Sequence, residues 1–189
     1  MMIRMRKLGK INAPKVASVV CGLVVIGMLL STSAYASPRD ATIKLLQGPF
    51  HGVVHKSEYR LDIFHGPADN RSSWRYVMSA PVGLGESGST PTGAFTVKPN
   101  SRLINPYWVN PRTGERFDKD DVNNPIGERW IGLEGLGADA IKTGYGLHGT
   151  IDPGSIGAQR SMGCIRLGTE DVELVYELLL PGSLVSIVD

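Results

Sequence analysis

The chain has 189 residues, with 20 Lys and Arg against 18 Asp and Glu. Five of the basic side chains fall within the first 15 residues, so the chain after residue 36 carries 15 basic against 18 acidic side chains, a net charge of −3. This balance excludes the basic surface that nucleic-acid-binding proteins require. About 150 residues follow residue 36, enough for one domain with its own core.

The amino-terminal segment has the organisation of an export signal. Residues 1–15 carry five bases and no acid, and the run Val16–Leu30 is apolar or small throughout. The run is short for a membrane span, and Ala34-Tyr35-Ala36 has the small-x-small form of a signal peptidase site. We therefore predict cleavage after Ala36, export to the periplasm or cell wall, and no stable membrane span after cleavage. An uncleaved membrane anchor is the alternative.

Beyond this signal, short apolar stretches alternate with clusters of Gly, Pro, Asn and Asp. With 23 glycines and 12 prolines, the chain favours many short strands over long helices. The predicted strands are Thr42–Leu46, Tyr59–Phe64, Trp74–Ser79, Ala94–Val97 and Leu184–Val188. We predict a mainly β fold, with residues 37–55 as an amino-terminal segment and residues 56–189 as the domain.

A long segment between these strands, Asn105–Ile126, is rich in turn formers and charge. A loop of this length in a compact domain is usually functional or disordered. Its aromatic pair Tyr107 and Trp108, followed by Val109, favours a segment packed over a site. We predict a lid, and a structural surface loop is the alternative.

One segment near the carboxyl terminus has helical periodicity. Thr169 suits the N-cap position, and Glu170 and Asp171 place acidic side chains in the first turn, where the helix dipole favours them. Apolar residues then recur at helical spacing until Pro181-Gly182 ends the helix. The sequence therefore predicts one helix shortly after the second cysteine.

That cysteine, Cys164, is the single one outside the predicted signal, which contains Cys21. An unpaired thiol in an oxidising compartment is a liability unless it has a use. Its neighbours Ser161, Gly163 and Arg166 are small, flexible or basic, which favours a reactive cysteine over a buried structural one. We expect Cys164 to be alkylated faster than a model thiol.

His148 stands sixteen positions before Cys164, in a segment with the pattern of a strand that ends in a loop. A nucleophilic cysteine needs a base, and imidazole is the usual one. Gly163 and Cys164 are candidates for the amides that bind an oxyanion, because glycine lets a substrate approach the backbone. Arg166 falls on the same face of an extended segment as Cys164 and suits a substrate carboxylate, with a structural arginine as the alternative.

The motif HGT, followed by a loop and then SMGCIRL, resembles the catalytic signature of the YkuD-type L,D-transpeptidases. The stretches STPTGAFTV and NPIGERWIGLEG are also similar to parts of that family. The resemblance implies a YkuD-like β-sandwich or barrel with one or two helices, and it implies no cofactor. Many members have a histidine where this chain has Met162, which removes a second imidazole but leaves the Cys164 and His148 pair.

The same resemblance assigns roles to six residues. They are Cys164 as nucleophile, His148 as general base, Gly149 as the carbonyl that holds the imidazole, Gly163 as an oxyanion donor, and Ser161 and Arg166 as substrate-binding residues. His51 and His55 lie four apart among β-branched residues, without a nearby acid or thiol, so we predict no metal site there. His65 is expected to be a turn residue.

These roles imply an exported cysteine acyltransferase that acts on peptidoglycan stem peptides. The acceptor is left open between another stem peptide, a lipoprotein lysine, a free D-amino acid and water, the last of which makes the enzyme a carboxypeptidase or amidase. One rival is a sortase-like transpeptidase, although sortases space the histidine, cysteine and arginine farther apart than this chain does. A catalytically idle cell-wall binding module is the other rival.

Overall fold

The computed structural model of the protein describes residues 49–189. The export signal predicted for residues 1–36 and the strand predicted at Thr42–Leu46 lie outside these residues. The described chain forms one α-helix, α1 (Thr169–Leu178), and a series of mostly short strands. The strands are β1 (Phe50–His55), β2 (Arg60–His65), β3 (Arg75–Pro81), β4 (Leu84–Gly85), β5 (Gly93–Ile104), β6 (Trp108–Val109), β7 (Arg116–Phe117), β8 (Arg129–Gly135), β9 (Gly146–His148), β10 (Gln159–Ser161), β11 (Ile165–Arg166) and β12 (Leu184–Val188).

Eight of these strands form one mixed sheet in the order β11-β9-β8-β5-β12-β1-β2-β3. The pairs β1 with β12 and β9 with β11 are parallel, and the other neighbours in this sheet are antiparallel. Strands β4 and β10 form a separate parallel pair, and β6 and β7 form a hairpin. His148 on β9 and Arg166 on β11 therefore fall at one edge of the large sheet, and Cys164 directly precedes β11.

The mainly β prediction is confirmed by this curled sheet. Strands β2, β3 and β12 lie close to their predicted positions, whereas β5 extends well beyond the predicted Ala94–Val97. Strand β1 was not predicted, because its two histidines and Gly52 interrupt the apolar pattern. In the structure β1 lies between β12 and β2, where pairing on both sides determines its conformation.

Helix α1 packs against β8 and buries Val172 and Val175 in the main apolar core. Burial of a side chain of this size contributes about 1.5–3 kcal/mol. The predicted N-cap was wrong, since Gly168 occupies that position and Thr169 is the first helical residue. Among residues 49–189, no helix has the length and apolar character needed to cross a membrane.

The histidines of β1 and β2 are parts of the sheet. The buried His51 ring accepts a 3.0 Å hydrogen bond from the Leu184 N–H at Nδ1 and lies 2.9 Å from the Gly66 carbonyl at Nε2. His55 Nε2 is 3.1 Å from the Asp62 carboxylate. The prediction for His65 was wrong, because this residue ends β2 rather than forming a turn. Within the described part of the chain, no group of His, Cys, Asp and Glu has a metal-binding arrangement.

Candidate active site

Two paired strands place the main catalytic candidates on one face of the sheet edge. In the parallel pair β9 and β11, Leu147 lies opposite Ile165 and His148 lies opposite Arg166. Side chains alternate along a strand, so the buried Leu147 and Ile165 point into the core while His148 and Arg166 point to the other face. Cys164, two positions before Arg166, shares that second face.

This face forms the floor of a cavity of about 280 Å³. Five of its lining residues come from the motifs HGT and SMGCIRL, namely His148, Ser161, Met162, Cys164 and Arg166. The other walls are formed by Trp108, Pro111, Pro125, Ile126, Trp130, Thr143, Gly144 and Tyr145. The structure thus brings the predicted nucleophile, base and arginine into one cavity, with Gly149 and Gly163 adjacent to them in the chain.

The buried His148 ring is held in a defined tautomer. Its Nδ1 lies 2.6 Å from the carbonyl oxygen of Gly149, which only accepts, so Nδ1 carries the proton and Nε2 has the free lone pair. Burial lowers the pKa of His148 to about 4, and the nearby Arg166 charge acts in the same direction. The imidazole is therefore neutral at pH 7 and able to accept a proton at Nε2.

The Cys164 thiol lies 3.8 Å from the Gly144 carbonyl oxygen. Burial raises the pKa of this thiol, although the main chain of Gly146 and the charge of Arg166 oppose that effect. The resting pair is thus a neutral thiol beside a neutral imidazole. This direction argues against the rapid alkylation of Cys164 expected from the sequence, because a raised pKa leaves less thiolate than in a free cysteine.

The turn before the nucleophile is organised by Ser161. Its Oγ donates a 2.6 Å hydrogen bond to the Cys164 carbonyl and accepts one of 3.1 Å from the Gly163 N–H. Gly163 has a φ of +132°, and a Cβ there would lie 2.8 Å from the Tyr145 ring. The Gly163 amide predicted as an oxyanion donor is engaged by Ser161, which leaves the Cys164 N–H as the other candidate donor.

Arg166 supplies the charge of the cavity. Its main chain exchanges two hydrogen bonds with Gly83, of 2.8 Å and 2.9 Å, which hold it in place. Its guanidinium lies 4.0 Å from the Asp152 carboxylate, its side chain is 18% exposed, and its Nε has no hydrogen-bond partner among residues 49–189. Among the described residues that line the cavity it is the single charged one at pH 7, which suits a carboxylate ligand.

The segment Asn105–Ile126 forms one wall of the cavity. Its hairpin of β6 and β7 packs Trp108 against Phe117, with ring centroids 5.8 Å apart, and Trp108 lines the cavity. The two ends of the segment are tied together by Asn124, whose Nδ2 donates a 2.7 Å hydrogen bond to the Pro106 carbonyl. Tyr107 is 51% exposed and does not line the cavity, so only one of the two aromatic residues faces the site.

Sequence reasoning missed one residue that contacts the predicted base. Trp130 on β8 lies directly opposite His148 on β9, and the two rings stack with centroids 5.8 Å apart and an interplanar angle of 21°. Trp130 belongs to the stretch NPIGERWIGLEG, whose similarity to the family could have drawn attention to it. That similarity alone does not assign a role to Trp130. Antiparallel pairing of β8 with β9 creates the contact.

Comparison with known proteins agrees with this geometry. Residues 49–187 match the YkuD family model, described as the L,D-transpeptidase catalytic domain. The chain is 34% identical over 100 residues to the putative L,D-transpeptidase YqjB of Bacillus subtilis, covering 53% of this chain and 52% of that protein. It is 29% identical over 151 residues to the probable L,D-transpeptidase YcfS of Escherichia coli, covering 72% of this chain and 43% of that protein.

A solved structure, L,D-transpeptidase 3 from Mycobacterium tuberculosis, shares the fold with a TM-score of 0.52 and 19% identity, over 75% of this chain and 61% of that one. The chain spans about half the length of the curated relatives it matches. The family match nevertheless covers nearly all of the described residues, including β9, β11 and the cavity they form. The chain therefore belongs to the YkuD family of L,D-transpeptidase catalytic domains.

Proposed function

We propose that this protein is an exported L,D-transpeptidase, a cysteine acyltransferase that acts on peptidoglycan stem peptides. The observation that carries the proposal is the shared face of β9 and β11, on which Cys164, His148 and Arg166 line one cavity. The family match and the names of the relatives support the reaction class. The signal predicted for residues 1–36 supports a location in the periplasm or cell wall.

The first half-reaction transfers an acyl group to the enzyme. As Cys164 Sγ attacks the carbonyl carbon of an L-residue bonded to a D-residue, the thiol proton passes to His148 Nε2. The Cys164 N–H donates to the developing oxyanion. When the tetrahedral intermediate collapses, the C–N bond breaks, His148 returns the proton to the leaving D-amino acid, and a thioester on Cys164 remains.

The second half-reaction releases the acyl group to an amine. The acceptor nitrogen attacks the thioester, His148 takes its proton, and the Cys164 thiolate leaves and is reprotonated by His148. A neutral imidazole with an open Nε2 suits both proton transfers, and the low pKa of His148 keeps it neutral over the physiological range. A stem peptide, a lipoprotein lysine and a D-amino acid are the candidate amines, and attack by water instead of an amine gives the hydrolytic alternative.

Arg166 is the proposed binding group for a substrate carboxylate. Its guanidinium shares the cavity with Cys164, and its Nε lacks a partner in the described chain. Stem peptides carry carboxylates near the scissile bond, so a partly buried cation in the same cavity as the sulfur orients the carbonyl for attack. Ser161 contributes by holding the turn of the nucleophile rather than by offering a free hydroxyl.

Incubation of the protein with purified disaccharide-tetrapeptides, followed by mass spectrometry, tests the proposal. Cross-linked dimers with release of the terminal D-amino acid are the expected products, and exchanged termini are expected when a D-amino acid is added. Cys164→Ser and His148→Ala should abolish product formation, while Leu174→Ala on the exposed face of α1 should not. Tripeptide alone identifies a carboxypeptidase, and no product from a folded protein supports a binding module.

A further inference from the structure

The indole of Trp130 lies flat over a strip of the sheet that contains no side chains. Gly146 on β9 faces the six-membered ring, and a Cβ at Gly146 would lie 2.8 Å from both Cζ2 and Cη2 of Trp130. Real Cβ contacts are not this short, so any other residue at Gly146 displaces the indole. The sheet is therefore built to let the ring lie beside the imidazole of His148.

A second contact fixes the other end of the indole. Trp130 Nε1 donates a 3.3 Å hydrogen bond to the Ser101 hydroxyl on β5. Ser101 in turn occupies space above Gly132, where a Cβ would lie 1.9 Å from the Ser101 Oγ. The indole is thus supported by β5 and by glycines of β8 and β9, and its plane is determined before any substrate binds.

The imidazole is held from the main chain by Gly149 and Ile126. The 2.6 Å bond from Nδ1 to the Gly149 carbonyl fixes the tautomer, but main-chain contacts at the ring nitrogens leave the faces of the ring free to rock about its axis. Stacking at a centroid distance of 5.8 Å and 21° limits that rocking. The main-chain contacts and the stacking together determine where Nε2 points.

We propose that Trp130 is a positioning residue, whose indole, supported by Ser101 and lying over Gly146, holds the His148 ring in the plane required for proton exchange with Cys164. The inference rests on the proposed function of the Cys164 and His148 pair. It assigns Trp130 a role through His148, without contact to the reacting carbonyl.

The same indole keeps water from one face of His148. Burial is the main cause of the low pKa of this imidazole, about 4. Two charged or titratable groups, Arg166 and Cys164, line the same cavity as the ring. A third, the Glu128 carboxylate, lies beside Gly149. Removing the indole leaves those groups in place and admits water, so the pKa of His148 should rise toward the ordinary value of about 6.5.

The test compares Trp130→Met, which keeps apolar bulk without a flat ring, with Trp130→Phe, which keeps a flat ring without the N–H. Two quantities are measured on the full chain: kcat and KM with disaccharide-tetrapeptide, and the midpoint of His148 protonation, followed by NMR of the imidazole protons. Trp74→Met is the matched control, because Trp74 stacks on His51 with ring centroids 4.4 Å apart, outside the cavity.

Trp130→Met should lower kcat by about 10- to 100-fold with KM within threefold. It should also move the midpoint of His148 protonation to higher pH. Trp130→Phe should restore most of the wild-type kcat and most of the wild-type midpoint. Trp74→Met should lower thermal stability without moving the midpoint. An unchanged midpoint with kcat within threefold overturns the proposal, and so does an equal loss in the Met and Phe variants with the wild-type midpoint.

If Trp130→Met fails to fold, Ser101→Ala replaces it, since this change removes only the hydrogen bond to the indole. It should lower kcat at least threefold at constant KM, with restoration by Ser101→Thr, and an unchanged kcat then overturns the proposal. A wild type that makes no product contradicts the proposed function alone. The NMR midpoints still decide whether Trp130 controls His148.

Discussion

The hydroxyl of Ser161 and the main-chain carbonyl of Cys164 are joined by a 2.6 Å hydrogen bond that closes the turn carrying the nucleophile. The same oxygen accepts the Gly163 N–H at 3.1 Å. One small side chain therefore holds the peptide plane before Gly163 and the peptide plane after Cys164. The orientation of the sulfur and of the Cys164 N–H depends on this arrangement.

Replacement of Ser161 by alanine should cost about 1–2 kcal/mol in the free energy of unfolding, because two hydrogen bonds in a buried turn are lost. It should also lower kcat by about tenfold, since the turn that carries the Cys164 amide is no longer closed by these two bonds. Ser155→Ala is the matched control, because Ser155 is buried and donates a 2.6 Å bond to the Asp152 carbonyl. Equal kcat losses in the two variants would contradict the specific role of Ser161.

A side chain at Gly163 should damage the site through a steric clash as well as through backbone strain. A Cβ there would lie 2.8 Å from Tyr145 Cε1 and 3.1 Å from the Ser89 carbonyl. Gly163→Ala should lower the free energy of unfolding by about 1–3 kcal/mol and kcat by more than tenfold. Urea unfolding and steady-state kinetics measure the two effects.

Gly157→Ala separates strain from clash. Gly157 has a φ of +77° and open space around its Cα, so alanine there carries only the conformational cost of about 1 kcal/mol. Normal kcat is expected for Gly157→Ala. If Gly163→Ala retains the same activity as this control, the close packing of Tyr145 on the nucleophile turn has no catalytic consequence.

Cys164 should be alkylated more slowly than free cysteine at pH 7. Burial raises the pKa of its thiol, so the thiolate fraction is smaller, and the rate should increase as the pH is raised. Iodoacetamide labelling followed by peptide mapping distinguishes Cys164 from Cys21. Alkylation faster than that of free cysteine would show that His148 or Arg166 outweighs burial, and labelling in urea provides the unfolded reference.

Stability should decrease as the pH falls from about 6.5 to about 4. Burial lowers the pKa of His148 to about 4, whereas an unfolded histidine has a pKa of about 6.5. Between these values the unfolded chain binds a proton that the folded state rejects, so acid favours unfolding; above 6.5 the effect vanishes. Burial also lowers the pKa of His51, which adds to the loss.

The His148 share of that loss is on the order of 2–3 kcal/mol. Urea unfolding at pH 7 and pH 4.5 measures it, and His148→Gln should show a flatter pH dependence than the wild type. Identical pH dependence in the two proteins would mean that His148 titrates near its ordinary value in the folded state.

The wall formed by Asn105–Ile126 should control the fate of the thioester. Trp108→Ala opens this wall and admits water, so the ratio of tripeptide to cross-linked dimer should rise several-fold while acylation of Cys164 stays within threefold. Product ratios on one tetrapeptide substrate measure the effect. Val122→Ala, at an 84% exposed position of the same segment, is the control. An unchanged product ratio for Trp108→Ala would contradict the predicted lid function.

The sequence by itself determined the local features of the protein. Alternation in Tyr59–Phe64 predicted β2, and the short apolar stretch Leu184–Val188 after Pro181-Gly182 predicted β12. The apolar spacing after Thr169 predicted α1. The motif around Cys164 predicted the family, because a short chain segment holds the nucleophile, its glycine and Arg166 together.

The tertiary structure decided what depends on residues distant in the chain. Pairing of β9 with β11 brings Cys164 and His148 into one cavity, and pairing of β8 with β9 stacks Trp130 on His148. Burial sets the pKa directions of the thiol and the imidazole, and for Cys164 this direction is the opposite of the one expected from its neighbours in the sequence. These properties follow from strand register and desolvation, which arise only when separate segments pack together, so composition and local spacing do not contain them.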